Sequence, residues 1–146
     1  MSVIDSTLSF SDAQALGAVS SGSSVVSTSK PSAGSGNKNT WGSSISPQIG
    51  GLTWNCNVNT ALVGAGAIIT AKLVTKASAS SMSSGSTELA RLTFPALSAR
   101  GTRKSVQLTP GTQCLAYLAV VYTASGAELT SATFDSWLGL DNEVID

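Results

Sequence analysis

The apolar positions of the chain are densest from Gln113 to Thr123, where both alternating sets of side chains are largely apolar. Successive side chains of a strand point to opposite faces, so this pattern predicts a strand that is covered on both sides. A helix is the alternative for a short apolar run. The β-branched ending and the flanking turn signals Pro110-Gly111 and Ser125-Gly126 favour a strand. We therefore expect a long strand in the middle of a sheet.

A second clear strand is predicted from Leu52 to Asn59, where apolar and polar positions alternate. Strict alternation is typical of a strand with one face on the core and one face in water. The core-facing set would be Leu52, Trp54, Cys56 and Val58, and the solvated set would be Thr53, Asn55, Asn57 and Asn59.

Shorter apolar segments separated by Gly, Pro and Ser predict the remaining strands. They are Val25-Val26, Ala67 to Thr75, Glu88 to Phe94, Lys104 to Leu108 and Glu128 to Leu140. In the last of these, one side would carry Ala132, Phe134 and Leu138 and the other Thr133, Asp135 and Trp137.

The N-terminal residues 1–19 predict an arm with two parts. Ile4, Leu8 and Phe10 indicate a short half-buried strand or an ordered arm. Ser11 to Ala15 then predicts a helical turn, because Ser11 can cap it and Gln14 stands at the capping-box position three residues later.

The count of about eight short strands with turn signals between them indicates an all-β, antiparallel sandwich or jelly roll. At 146 residues, the chain 1–146 is expected to form a single domain. A long Ser/Gly-rich loop is predicted for residues 27–51 and an acidic tail for residues 141–146. Trp41, Ile45 and Ile49 in that loop either fold back over the sandwich edge or dock on a partner.

Charged residues make up only 11% of the chain, and eight basic and eight acidic residues cancel to a net charge of zero. The chain therefore lacks the basic footprint of a nucleic-acid binder or of a protein that binds anionic membranes. The N-terminus does not have the pattern of a signal peptide, and the weakly polar run Ala61 to Ala71 is too short to span a bilayer. Cys56 and Cys114 are expected to be buried reduced thiols.

Reactive chemistry is hard to place on this sequence. The chain has no histidine, which excludes His-based triads and the common catalytic zinc sites. Glu88, Glu128 and Asp135 could supply a glycosidase pair, but nothing sets their separation, and they are more simply solvated strand ends. Gly64-Ala65-Gly66 and Gly34-Ser35-Gly36 lack the rest of a nucleotide-binding motif. We therefore expect a protein that is not an enzyme and holds no cofactor or metal.

Arg100, Arg103 and Lys104, with Arg91 upstream, form a basic cluster in the sequence. One interpretation is a solvated turn. The other is docking on an acidic protein surface, where Arg gives directional bidentate pairs. The acidic C-terminal segment could play the complementary part on a neighbouring copy.

With these residues laid out, the chain resembles the small capsid cement, or decoration, proteins of tailed bacteriophages. The resemblance depends on three segments. They are the opening strand with Ser11-Asp12-Ala13-Gln14-Ala15, the middle segment from Leu92 to Leu108, and the closing segment from Tyr117 to Asp141 with Tyr122-Thr123 and Gly126.

The resemblance implies a jelly-roll virion protein on the outer capsid surface, made in the host cytoplasm. It would form a small homo-oligomer, a dimer or trimer, and bridge neighbouring major capsid subunits against internal DNA pressure. Direct nucleic-acid or membrane binding is not expected. The candidate contact residues for the capsid or for another subunit are Asp12, Gln14, Lys38, Trp41, Arg100, Arg103 and Lys104.

A second hypothesis is a carbohydrate-binding β-sandwich. Trp41, Trp54 and Trp137 could form a stacking platform, and the nearby asparagines Asn55, Asn57 and Asn59 could supply hydrogen bonds. The alternative is that Trp54 and Trp137 are core or sheet-edge residues.

Overall fold

The computed structural model describes residues 9–26, 52–64, 66–76, 83–110 and 117–139, and the regular elements in these ranges are all strands. Within them, no helix is long and apolar enough to cross a membrane. The strands are β1 (Ser9–Ala15), β2 (Ser24–Val26), β3 (Thr53–Gly64), β4 (Ile68–Lys76), β5 (Thr87–Phe94), β6 (Arg103–Gln107), β7 (Tyr117–Ser125) and β8 (Leu129–Gly139).

The strands form two four-stranded sheets, here called sheet A and sheet B, in which every pairing is antiparallel. Sheet A has the order β1-β8-β3-β6, and sheet B has the order β2-β7-β4-β5. A single apolar cluster contains buried residues of both sheets, so the sheets pack face to face. The prediction of an all-β antiparallel sandwich of eight strands is confirmed.

The pairings are nested along the chain. β4 pairs with β5, β3 with β6, β2 with β7, and β1 with β8. One long hairpin folded across its middle gives this pattern, because each strand lies beside the strand equally far from the hairpin tip. Two further pairings, β3 with β8 and β4 with β7, join these pairs into the two sheets.

The core centres on Phe134 of β8, which contacts aromatic rings from the opposite sheet. Its ring centroid lies 5.2 Å from Phe94 in an edge-to-face arrangement and 5.0 Å from Tyr122 in a tilted one. Aromatic pairs at such distances add to the stabilisation from burial alone. These three residues come from β8, β5 and β7, so the packing ties both sheets together.

The prediction that both faces of the central apolar segment are covered is confirmed in β7. This strand lies between β2 and β4, and every residue from Leu118 to Tyr122 is buried. Leu118, Val120 and Tyr122 join the main core, whereas Ala119 and Val121 form a smaller outer cluster with Val74 of β4. The strand begins at Tyr117, and residues 111–116, including Cys114, lie outside the described residues.

The helical turn predicted from Ser11 to Ala15 is wrong, because these residues belong to strand β1. β1 pairs with β8, with register shifts between Ser9 and Ser11 and between Ser11 and Gln14. The Ser11 hydroxyl does reach Gln14, but it donates to the side-chain oxygen at 2.9 Å. Pairing with β8 therefore overrides a weak local capping signal.

The solvated face predicted for β3 is also wrong at its first two positions. Thr53 and Asn55 are buried, whereas Asn57 and Asn59 are half-buried. Asn55 lies opposite Trp137 of β8, and Trp137 is only 1% exposed. The expected split of β8 is otherwise confirmed: Ala132, Phe134 and Leu138 belong to the core cluster, and Trp137 does not.

Candidate functional site

The loop between β5 and β6 connects the edge strands of the two sheets through two consecutive tight turns. In the first turn, Ser98 closes back on the Pro95 carbonyl through its backbone nitrogen at 3.3 Å and its hydroxyl at 2.6 Å. In the second, Thr102 closes on the Ala99 carbonyl through its backbone nitrogen at 3.1 Å and its hydroxyl at 2.7 Å. Both turns are therefore fixed by paired backbone and side-chain hydrogen bonds.

Backbone hydrogen bonds also fasten this loop to β3. The Leu62 nitrogen donates to the Ser98 carbonyl at 3.0 Å, the Val58 nitrogen to the Thr102 carbonyl at 2.9 Å, and the Gly101 nitrogen to the Val58 carbonyl at 2.8 Å. The loop is thus held along the second half of β3. Side chains at its tip project from a preorganised backbone, which lowers the entropy lost on binding.

Leu97 has a backbone conformation that is unusual for its residue type. Its φ angle is 60°, and its side chain is 69% exposed. The corresponding position of the second turn is Gly101, with φ of 88°. Turns of this kind favour glycine, because a Cβ atom is strained at positive φ.

The basic cluster seen in the sequence does not form one surface. Arg100 is exposed on the loop, but Arg103 and Lys104 are consecutive residues of β6 and point to opposite faces of sheet A. Lys104 pairs with Cys56 on the core-facing side, whereas Arg103 pairs with Asn57 on the outer side. Arg91, the upstream member, is bound to Glu88 at 2.9 Å.

Arg103 also has a structural task. Its guanidinium lies 5.3 Å from the centre of the Trp137 ring, and its Nη2 donates to Asn55 Oδ1 at 2.9 Å. A guanidinium over an indole is favoured by the ring quadrupole. Arg103 therefore helps to cover Trp137 and Asn55 on the outer face of sheet A.

Gln14 does not fit its predicted role as a surface contact, because its side chain is buried. Its Nε2 donates to the Val26 carbonyl at 3.1 Å, and its Oε1 accepts from Ser11. Asp12 lies within β1, and nothing is described of its side chain. Lys38 and Trp41 lie outside the described residues.

Gln14 and Ser11 belong to an internal polar network that crosses the sandwich. The hydroxyls of Ser11 and Tyr122 lie 2.8 Å apart, and because the Ser11 proton goes to Gln14, Tyr122 donates to Ser11. Tyr122 and Ser136 also hydrogen-bond with the Cys56 thiol. The Trp54 indole nitrogen donates to Ser136 Oγ at 2.9 Å. We refer to these six residues as the interior network.

Two members of the interior network have shifted pKa values. Burial raises the pKa of the Cys56 thiol above its ordinary value of 9.0. Burial also raises the pKa of the Tyr122 phenol well above its ordinary value of 10.0, and the neighbouring Cys56 adds to the shift. Both groups therefore stay neutral and hydrogen-bonded, and Cys56 is a free, buried thiol rather than an accessible nucleophile.

The tryptophan platform expected for a carbohydrate-binding sandwich does not form from Trp54 and Trp137. Trp54 is fully buried in the core, and Trp137 is covered on the outer face of sheet A. Asn55, expected to hydrogen-bond a sugar, is fully buried as well. Among the described residues, no group of three or more acidic or cysteine side chains is placed to hold a metal ion.

The sequence patterns did not identify two exposed apolar residues, Leu97 of the β5–β6 loop and Val63 of β3. Val63 is 49% exposed, and it follows Leu62, whose nitrogen bonds the loop residue Ser98. The sequence signal was a leucine at a turn position where glycine is preferred. No protein-family model matches this chain, and no curated protein shows significant similarity to it.

Proposed function

We propose that this chain is a cement protein that binds the outside of an icosahedral phage head and joins neighbouring major capsid subunits. The observation that carries the proposal is that the three segments behind the sequence resemblance meet in the core. Ser11 of the first segment bonds Tyr122 of the third, and Phe94 of the middle segment packs on Phe134 of the third. The three segments that carry the resemblance therefore contact one another in space.

The nested strand order gives further support. We infer that the two sheets form a jelly roll, since this fold has eight strands in two sheets and arises from a long hairpin rolled over its middle. Jelly rolls are common in viral capsid proteins, but they also occur in lectins and cupins. The fold is therefore compatible with the proposal and does not select it by itself.

Attachment to a shell fits the physical properties of the sandwich. Several modest contacts made by one rigid body reinforce each other through effective concentration. A protein that binds the assembled lattice and not its free subunits stabilises the lattice by mass action, by about 2.7 kcal/mol per site at a free concentration of about 100 Kd. The fixed β5–β6 loop and the interior network both favour such rigidity.

The test uses heads of the virus that encodes this chain, prepared without it. Adding the purified chain should raise the melting temperature of the heads, and the chain should cosediment with them. Arg100→Gln should weaken cosedimentation more at low salt than at high salt, because Arg100 is exposed. Arg91→Gln is the matched control, since Arg91 is already paired with Glu88. The proposal would be rejected if the heads did not bind the chain and their melting temperature did not rise.

A further inference from the structure

Val63 and Leu97 are the large apolar side chains that stand out as exposed in the described part of the chain. They lie on adjacent segments, because the Leu62 nitrogen donates to the Ser98 carbonyl at 3.0 Å. Isolated exposed apolar residues are common on protein surfaces, but here the two lie on segments that are hydrogen-bonded to each other. We refer to Val63, Leu97 and the exposed Arg100 as the loop patch.

Leu97 adds strain to the fold without adding burial. A left-handed conformation costs an ordinary L-residue about 1–2 kcal/mol relative to its preferred regions. The Leu97 side chain is 69% exposed, so it recovers little of this cost by leaving water. A strained, exposed leucine on a preorganised turn is a reason to look for a contact outside the chain.

The C-terminal sequence Asp141-Asn142-Glu143-Val144-Ile145-Asp146 has the chemistry that complements the loop patch. The pair Val144-Ile145 is apolar and is flanked by carboxylates, and Arg100 follows Leu97 by three residues on the loop.

A chain's own C-terminal apolar pair reaches Val63 only when its segment is almost fully extended. Val63 pairs with Ser131, about eight residues before Gly139 along β8, so it lies roughly 26 Å from the end of that strand. Ile145 follows Gly139 by about six residues, which span at most about 22 Å when fully extended. A segment from a second molecule has no such restriction, which favours docking between two copies.

We propose that the C-terminal acidic segment of a second copy of this chain docks on the loop patch. The contact joins two different surfaces, so repeated copies would form a closed ring or an open filament, according to the rotation between neighbours. Val144 and Ile145 would pack on Leu97 and Val63, with a neighbouring carboxylate on Arg100. This proposal is independent of capsid binding and is tested on the isolated chain.

The first experiment measures the molar mass of the full chain by light scattering as its concentration rises. The full chain should associate, and a chain ending at Leu140 should stay at a lower mass. Leu97→Gly should also lower the mass while the fold is kept, because glycine suits the turn. Arg91→Gln is the control and should associate like the unchanged chain.

The second experiment measures binding of a synthetic peptide with the sequence of residues 140–146 to the chain ending at Leu140. Leu97→Gly should weaken peptide binding about tenfold or more, the effect of losing one buried leucine contact. Arg100→Gln should weaken it about twofold to fivefold at low salt, as expected for an exposed ion pair.

Two results would overturn the proposal. One is an unchanged mass after removal of residues 141–146. The other is association that disappears in Leu97→Gly but persists in the chain ending at Leu140, because the patch would then contact a different surface. If Leu97→Gly leaves the affinity for the peptide unchanged, the segment binds elsewhere on the chain, and this result would also count against the proposal.

Discussion

The interior network and the tip of the β5–β6 loop differ in which side chains they bury and which they expose. In the network, polar groups such as the Tyr122 hydroxyl and the Trp54 indole are buried, and each has a partner. At the loop tip, the apolar Leu97 is exposed on a strained backbone. Satisfied buried polar groups rigidify a core, whereas the Leu97 arrangement contributes strain and little burial. The difference separates residues that stabilise the fold from a residue available for contact.

The comparison is tested most strongly by removing an aromatic ring next to the interior network. Phe134→Ala takes away contacts with Phe94 and Tyr122 and should lower the free energy of unfolding by about 3–5 kcal/mol. Urea denaturation measures this loss. Val63→Ala, at an exposed apolar position, is the matched control and should change stability by less than about 0.5 kcal/mol. Similar losses for the two variants would contradict the distinction between core and patch.

Alkaline pH should destabilise the fold through the interior network. The raised pKa values of Cys56 and Tyr122 mean that the folded state keeps two protons that the unfolded chain releases above pH 9.0 and pH 10.0, respectively. The stabilisation that these two groups contribute is therefore present in full below about pH 9, and it is lost as the pH rises above that value. Between pH 8 and pH 10, the loss should be about 2 kcal/mol, mostly from Cys56.

The matched variant for this prediction is Cys56→Ser, which removes the thiol that ionises first and keeps a small polar group. Denaturant unfolding at pH 8, 9 and 10 should show a shallower fall in stability for Cys56→Ser than for the unchanged chain. Leu97→Gly should leave the pH dependence as it is, because Leu97 lies on the exposed loop. An identical fall in all three proteins would remove Cys56 from the explanation.

Sequence patterns predicted those parts of the fold that depend on local information. The unbroken apolar run around Leu118 to Tyr122 indicates a doubly covered strand wherever its neighbours come from. The buried state of Asn55 could not be predicted in this way, because it depends on Arg103 and Trp137 from other strands. Ser11 similarly finds its partner, Tyr122, at the far end of the sequence.

The candidate site was predicted less well than the fold. The sequence drew attention to charge, and Arg100 does lie on the exposed loop, but alternation within β6 separates Arg103 from Lys104. Leu97 was identifiable only as a break between two strands. Its significance depends on a φ angle and on exposure, and both are set by the hydrogen bonds that fasten the loop to β3.

Removing a single hydroxyl tests whether a hydrogen bond of the buried interior network contributes more to the free energy of unfolding than an exposed one. Tyr122→Phe removes the bond to Ser11 and should lower the free energy of unfolding by about 1–2 kcal/mol, since the remaining partners are buried. Thr123→Val removes the neighbouring hydroxyl, which bonds Ser24 at 2.8 Å in an exposed position, and should cost about 0.5 kcal/mol or less. Thermal or urea unfolding compares them directly. A larger loss for Thr123→Val would reverse the expected order.

The smallest expected effect comes from the two turns of the β5–β6 loop. Leu97→Gly should raise the free energy of unfolding by about 0.5–1 kcal/mol, because glycine relieves the strain at positive φ but gains entropy in the unfolded chain. Gly101→Ala at the corresponding position should lower it by a similar amount, and a Cβ atom there meets nothing within 4 Å, so only backbone strain contributes. If urea unfolding gives changes of opposite sign in the free energy of unfolding of the two variants, Leu97 destabilises the isolated fold. If Leu97→Gly destabilised the chain, the leucine would have a structural role that its exposure does not reveal.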